Sequence, residues 1–165
     1  MMVPFDAAHN LGDLTPFERV LLTTDGTVTL MLEQITGEPI ATNCLTRSPL
    51  SEHDAMAFRP LPGTSGPLQL RTVHLVGANS GRTYVKARTL VVLDSLPEVL
   101  RNDLDATDVP LGLLLRHHRF EAYREMTSYW MLVGELCRKY RVMHRGRTTM
   151  VIEERFVRDC ISSIM

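Results

Sequence analysis

Charged residues interrupt apolar strand faces at two places in this chain, and their types are suited to chemistry. Arg71 falls on the alternate positions that Val73 and Leu75 occupy, and Glu154 continues the alternation that includes Ile152. A charge that is buried without a partner is costly. These positions therefore indicate either internal ion pairs or a pocket that binds a polar ligand.

Arg88 adds a second arginine in the return strand of the same predicted hairpin, within the mostly apolar run 85–93. Two interpretations stay open. In the first, Glu154 forms a structural salt bridge with Arg71 or Arg88, or the arginines extend to solvent at the strand ends. In the second, the planar guanidinium groups bind ligand carboxylates. Glu154 then accepts a hydrogen bond from a ligand hydroxyl or moves a proton.

Two glycine-bearing turns precede predicted helices and add backbone donors. One is Asp25–Gly26–Thr27–Val28 and the other is Pro110–Leu111–Gly112–Leu113. The first amides of a helix have no partner within the helix, so both turns are suited to holding a carboxylate.

Other common site motifs are absent from the sequence. It contains no GxGxxG or GxxxxGK[ST] loop for nucleotides and no GxSxG nucleophile turn. The three cysteines, Cys44, Cys137 and Cys160, form no CxxC pair, and the adjacent His117 and His118 point in different directions on a helix. We therefore expect no metal site and no cofactor.

Composition narrows the class of partner. The chain has 165 residues and a formal net charge of −1, with a pI near 6.6, so it has no overall attraction for nucleic acid or anionic membranes. The first ten residues lack the features of a signal peptide, and no apolar run is long enough to span a bilayer. We expect a cytoplasmic protein with reduced thiols that binds a small molecule as a monomer or small homo-oligomer.

Hydrophobic periodicity and turn residues predict an α+β domain built on a single antiparallel sheet. The clearest element is a hairpin over residues 70–93 around Asn79–Ser80–Gly81. Helices are predicted after Thr15, after Asp25, from about residue 96 to 104, and from Leu111. Further strands are predicted at 40–45 and on either side of a turn at Arg145–Gly146–Arg147. Residues 120–126 are compatible with a strand or a helix, and we favour the strand.

The chain is most simply one domain over residues 1–165, with a lead-in at 1–13. Residues 46–67 contain four prolines and read as a long connecting loop, with room for one helical turn after Ser51. A lid and a surface connection without a role are equally compatible with that composition.

Several segments together resemble the chorismate pyruvate-lyase (4-hydroxybenzoate synthase) family, especially its compact branch. The similarity extends from about Leu14 to Phe156, and the order and spacing of the segments carry it. They are 21–29, Leu70–Arg71, 87–92, 109–115 and 153–156.

The resemblance implies a six-stranded antiparallel sheet whose ligand lies beneath helical flaps. It also implies that Arg71 binds the ring carboxylate and that Glu154 faces the ring hydroxyl, the two residues being the catalytic pair. Backbone amides at or beside Val28 and Leu111 would hold the carboxylate, and Arg88 would bind the enolpyruvyl carboxylate. The implied reaction releases pyruvate from chorismate and requires no cofactor.

Two other functions remain alternatives. The first is a biosynthetic enzyme of the same fold that acts on a different small carboxylate. The second is a ligand-binding domain without activity, as in transcription regulators of this fold, although residues 1–13 leave no room for a winged helix-turn-helix.

Overall fold

A six-stranded sheet organises the chain, and every neighbouring pair of strands is antiparallel. The strand order is β1-β2-β3-β6-β5-β4, so β3 and β6 are central while β1 and β4 form the edges. The computed structural model describes residues 14–59 and 66–164. The six strands are β1 Ile40–Pro49, β2 Leu68–Gly77, β3 Thr83–Val92, β4 Tyr123–Leu132, β5 Glu135–His144 and β6 Arg147–Val157. This architecture confirms the predicted α+β class and the six-stranded sheet.

The described part of the chain also contains six α-helices, and several begin where the sequence predicts. They are α1 Pro16–Thr23, α2 Val28–Thr36, α3 Glu52–Ala57, α4 Glu98–Ala106, α5 Leu111–His117 and α6 Arg158–Ser162. Thr15 caps α1 in a reciprocal arrangement with Glu18, and Gly37 ends α2 in the left-handed conformation. Within the residues described, no helix is long and apolar enough to cross a bilayer.

The expectation of a loop over residues 46–67 is wrong for its first part. Strand β1 continues through Pro49, because residues 46–49 pair with β2 beyond an irregularity in register between Cys44 and Thr46. Helix α3 then begins after Ser51, whose side chain accepts a hydrogen bond from the amide of Asp54. Residues 60–65 of the expected loop, and the predicted lead-in at 1–13, lie outside the described residues.

Two apolar clusters lie on one face of the sheet, which we call the inner face. The first joins α1 and α2 to the sheet through Leu21, Leu22 and Leu32. The second joins α4 and α5 to the sheet through Leu100, Leu104 and Leu114. Burial of these large side chains is the main source of stability, at roughly 1.5–3 kcal/mol for each.

The opposite face, which we call the outer face, is covered differently. Phe58, directly after α3, packs there against Leu70, Leu90 and Val151. Much of the remaining surface is charged, as in the bridges of Lys86 with Glu135 and of Arg141 with Glu125. The sheet therefore separates an apolar inner layer from a largely polar outer one.

Candidate active site

A cavity lies on the inner face of the sheet, beneath the starts of α2 and α5. Its volume is about 60 Å³, measured as the space open to the centre of a water-sized sphere. All six strands contribute to its wall. The lining residues from the sheet are Thr42, Val73, Leu75, Ala87, Thr89, Arg124, Tyr140, Val142, Ile152 and Glu154, and those from the helices and their caps are Thr27, Val28, Thr29, Pro110, Leu111, Gly112 and Leu115.

The starts of α2 and α5 both line the cavity. Thr27 caps α2 without a side-chain hydrogen bond, and Pro110 stands at the corresponding position of α5. Backbone N–H groups in the first turn of each helix therefore have no side-chain cap beside the cavity. A Cβ built on Gly112 would lie 2.8 Å from Cγ2 of Thr27. Glycine is thus what lets α5 approach α2 this closely.

Glu154 lies in the cavity wall and is only 7% exposed. Nε of Arg138 donates to its Oε2 at 2.7 Å, and the hydroxyl of Tyr140 donates to its Oε1 at 3.0 Å. Neither Arg71 nor Arg88 is its partner, so the salt bridge that one interpretation expected is formed by a different arginine. The two donors hold the carboxylate in one orientation, and each of its oxygens retains further capacity to accept.

Arg138 is the buried cation of this site, with no exposed surface. Its Nη1 donates to the carbonyl oxygens of Leu21 and Leu22 in the last turn of α1, at 3.1 and 3.3 Å, and to that of Thr24 directly after the helix, at 2.7 Å. Burial acts to lower the pKa of Arg138, but the Glu154 carboxylate outweighs burial and the pKa is raised. Arg138 therefore stays charged and connects the site to the end of α1.

Tyr140 completes the support of Glu154. Burial raises the pKa of its phenol, and the neighbouring Glu154 carboxylate raises it further. The phenol is consequently protonated at neutral pH and acts as a hydrogen-bond donor. Sequence reasoning missed both Arg138 and Tyr140, although they alternate with Leu136 and Val142 along β5 and so continue an apolar face.

Arg71 lies beside the cavity but is not among the residues that line it. It pairs across the sheet with Thr89, a lining residue, and shares the inner face with Val73. Arg71 is 2% exposed, and its Nε and Nη2 have no hydrogen-bond partner among the residues that the structure describes. Burial lowers its pKa, and the charge of Arg47 contributes in the same direction. The structure thus contains a buried guanidinium whose donors are largely unused.

The structure does not bring Arg88 to the cavity. Arg88 alternates with the lining residues Ala87 and Thr89, so its side chain lies on the outer face. There it forms ion pairs with Asp54 and Glu153, each at 3.5 Å. The same alternation places Glu153 on the outer face and Glu154 on the inner one, as the predicted register requires.

Arg124 is a cavity residue that the sequence reasoning did not single out. It is the second residue of the edge strand β4, and its Nη1 donates to the carbonyl oxygen of Asp25 at 2.6 Å. Its guanidinium carbon lies 5.8 Å from the centre of the Tyr140 ring. The sequence does not mark Arg124 as a residue of a buried face, because the β4 residues around it are polar or only half-buried and show no regular apolar alternation.

No group of three or more potential metal-ligating side chains occurs within residues 14–59 and 66–164. The polar groups of the cavity are instead a carboxylate, a phenol, an arginine, threonine hydroxyls and helix-start amides. This set is suited to binding a small organic acid that also carries a hydroxyl.

Comparisons with known proteins agree with this chemistry. The model of the family described as chorismate pyruvate-lyase, Rv2949c-like, matches residues 22–161. The chain is similar to the chorismate pyruvate-lyase of Mycobacterium leprae, at 28% identity over 159 residues, covering 86% of this chain and 74% of that protein. It is also similar to the chorismate pyruvate-lyase of Mycobacterium tuberculosis strain H37Rv, at 28% identity over 164 residues, covering 86% and 79%.

Proposed function

This chain belongs to the Rv2949c-like chorismate pyruvate-lyase family, and from that premise we propose that it eliminates pyruvate from chorismate to give 4-hydroxybenzoate. One observation carries the proposal. Glu154 is held in a fixed orientation in the cavity wall, on the same sheet face as the buried and largely unpartnered Arg71. A carboxylate and an arginine so placed match a ligand that has a hydroxyl and a carboxylate at opposite ends of a ring.

Arg71 binds the ring carboxylate in this proposal. A buried guanidinium without a counter-ion is unfavourable, and a ligand carboxylate would supply the missing acceptor. The first amides of α2 and α5, at Val28 and Leu111, add neutral donors to the same anion. Thr27 and Gly112 contribute by setting how closely the two helix starts approach.

Glu154 accepts a hydrogen bond from the ring hydroxyl. Arg138 and Tyr140 fix the direction of its oxygens, so the ring is oriented before any bond breaks. The hydroxyl-bearing carbon is the one that loses hydrogen. Glu154 therefore positions that carbon and is placed to accept its proton.

The reaction breaks the bond between a ring carbon and the enolpyruvyl oxygen. The neighbouring, hydroxyl-bearing carbon loses its hydrogen as a proton, and the C–H electron pair completes the aromatic ring. The C–O electron pair leaves with enolpyruvate, whose methylene carbon gains a proton to give pyruvate. Aromatisation supplies the driving force, so the protein has mainly to bind and orient the substrate.

Pyruvate release provides the direct test. Purified protein and chorismate are expected to produce pyruvate, followed with lactate dehydrogenase, together with an aromatic product seen by absorbance. Glu154→Gln should lower kcat by about a hundredfold or more, because it removes the charged acceptor at the ring hydroxyl.

Glu153→Gln is the matched control, because Glu153 is the next residue of β6 and lies on the outer face. It should retain wild-type kcat. Pyruvate formation no faster than the spontaneous reaction would reject the proposed activity, and equal losses in the two variants would reject the assignment of Glu154.

A further inference from the structure

Arg124 is a cation in the cavity wall that is paired with no carboxylate in the part of the chain that the structure describes. Its Nε is buried and has no hydrogen-bond partner among the described residues, whereas Nη1 donates to the Asp25 carbonyl oxygen. No carboxylate within residues 14–59 and 66–164 forms an ion pair with it. An arginine held by a neutral carbonyl and an aromatic ring keeps its full charge available for an anion.

The position of Arg124 relative to Arg71 and Glu154 follows from the strand order. Arg71 lies on β2, Glu154 on β6 and Arg124 on β4, with one strand between each neighbouring pair. All three are on the inner face. Adjacent strands are about 4.8 Å apart, so the two arginines lie about 10 Å from β6 across the sheet, on opposite sides of it. The pairing sets Arg71 level with Ile152 and Arg124 level with Met150, so both start nearer the beginning of β6 than Glu154 does. A ligand whose hydroxyl contacts Glu154 thus has one arginine on each side.

We propose that Arg124 binds the second carboxylate of a dianionic substrate, the one on the group that leaves. This inference rests on the proposed function, in which the ring carboxylate is bound by Arg71. The enolpyruvyl group is attached beside the hydroxyl-bearing carbon, so its carboxylate projects away from the ring carboxylate. Arg88 lies on the outer face and cannot contact this second carboxylate. Among the described residues that line the cavity, Arg124 is the one arginine.

Binding of a dianion and of a monoanion separates the roles of the two arginines. Chorismate carries both carboxylates, whereas 4-hydroxybenzoate has only the ring carboxylate and the hydroxyl. Arg124→Gln should raise the KM and the calorimetric Kd for chorismate by about tenfold or more, since hydrogen bonds to charged groups are strong. The inhibition constant of 4-hydroxybenzoate should change less than about twofold, while Arg71→Gln should weaken both ligands.

Two further variants test whether Arg124 acts through its charge. Arg124→Lys should recover part of the chorismate affinity, because it keeps a cation at the site. Arg147→Gln, on an exposed residue at the start of β6, should leave both ligands unaffected. Thermal unfolding checks that each variant is folded.

The outcomes distinguish this inference from the proposed function. Equal weakening of chorismate and 4-hydroxybenzoate by Arg124→Gln would assign Arg124 to anchoring the Asp25 carbonyl and overturn the inference. An unchanged chorismate affinity would overturn it as well. If the wild-type protein released no pyruvate, the lyase proposal would fail, whereas the calorimetric comparison would still report whether Arg124 binds a second carboxylate.

Discussion

At the scale of single residues, the candidate site combines one paired charge with unpaired ones. Glu154 and Arg138 form a buried ion pair, and Tyr140 adds a phenol that burial keeps protonated. Within the described residues, Arg71 and Arg124 have buried donors without a hydrogen-bond partner, and Arg138 has one at its Nη2. Folding therefore leaves an excess of positive charge beside the cavity, which a ligand with two carboxylates would neutralise.

The pair of Glu154 and Arg138 leads to a prediction about stability. Arg138→Met should destabilise the protein by about 3–5 kcal/mol in urea unfolding, because it leaves the Glu154 carboxylate buried without its cation. It also leaves three carbonyl oxygens at the end of α1 without their donor. The double variant Arg138→Met/Glu154→Gln should regain part of this loss, since no uncompensated charge remains.

Arg155→Met provides the comparison, because Arg155 forms its ion pair with Glu153 on the outer face and is 37% exposed. Its removal should cost less than about 1 kcal/mol. Similar losses for the two single variants would show that burial of the inner pair has no special effect on stability.

At the scale of secondary structure elements, the cavity depends on two helix starts meeting above the sheet. Helix α2 follows the turn at Asp25, whose carbonyl oxygen accepts from Arg124, and α5 follows Pro110. The C-terminal carbonyls of α1 are held by Arg138. Side chains from β4 and β5 thus fix the connection from which α2 begins, and Gly112 allows α5 to lie against it.

The contact between Gly112 and Thr27 can be tested by substitution. Gly112→Ala places a Cβ 2.8 Å from Cγ2 of Thr27, and it should move the helix starts apart and raise the KM for chorismate about fivefold. Thr27→Ser lacks that methyl group, so the double variant should regain most of the affinity. If the double variant kept the raised KM of Gly112→Ala, the contact with Thr27 would not be the cause of the weaker binding.

At the scale of the whole molecule, the sheet carries different chemistry on its two faces. The inner face combines two apolar clusters with the cavity between them, and the outer face carries exposed ion pairs.

The turn of the hairpin formed by β2 and β3 is held by Glu38, a residue that belongs to neither strand. Glu38 accepts hydrogen bonds from the Asn79 and Ser80 amides and from the hydroxyls of Ser80 and Tyr84.

These bonds predict an acid-sensitive contribution to stability. The Ser80 hydroxyl and amide, helped by Tyr84 and Asn79, lower the pKa of Glu38 from 4.5 to about 2. A lowered pKa means that the contribution is complete above pH 4.5 and is lost as the pH falls toward 2. Glu38→Gln should therefore lower Tm at pH 7, and the difference from wild type should shrink between pH 4.5 and 2.

Thermal unfolding at a series of pH values measures this difference. Glu121→Gln, which neutralises an exposed carboxylate, should leave the pH profile of Tm unchanged. A Glu38→Gln variant whose Tm deficit stays constant down to pH 2 would contradict the prediction.

Local rules were enough to predict much of the fold and part of the site. Alternation along each strand placed Glu154 and Arg71 on apolar faces, and helix-start residues marked the positions of Thr27 and Leu111. The helix cap at Thr15 and the turn around Ser80 could also be predicted from the sequence, because each depends on residues only three or four positions apart. The extension of β1 to Pro49 was missed, since it depends on pairing with β2 rather than on local composition.

The sequence by itself determined which side chains share a strand face, because that follows from a period of two. Only the tertiary structure decided which face is the inner one and which charges meet there. Arg138 is 16 residues from Glu154 along the chain and 117 from Leu21, and the Asp25 carbonyl that holds Arg124 is 99 residues away. Contacts at such separations follow from strand order and helix packing. For this reason the sequence did not predict that Arg88 lies away from the candidate site, or that Arg138 and Arg124 belong to it.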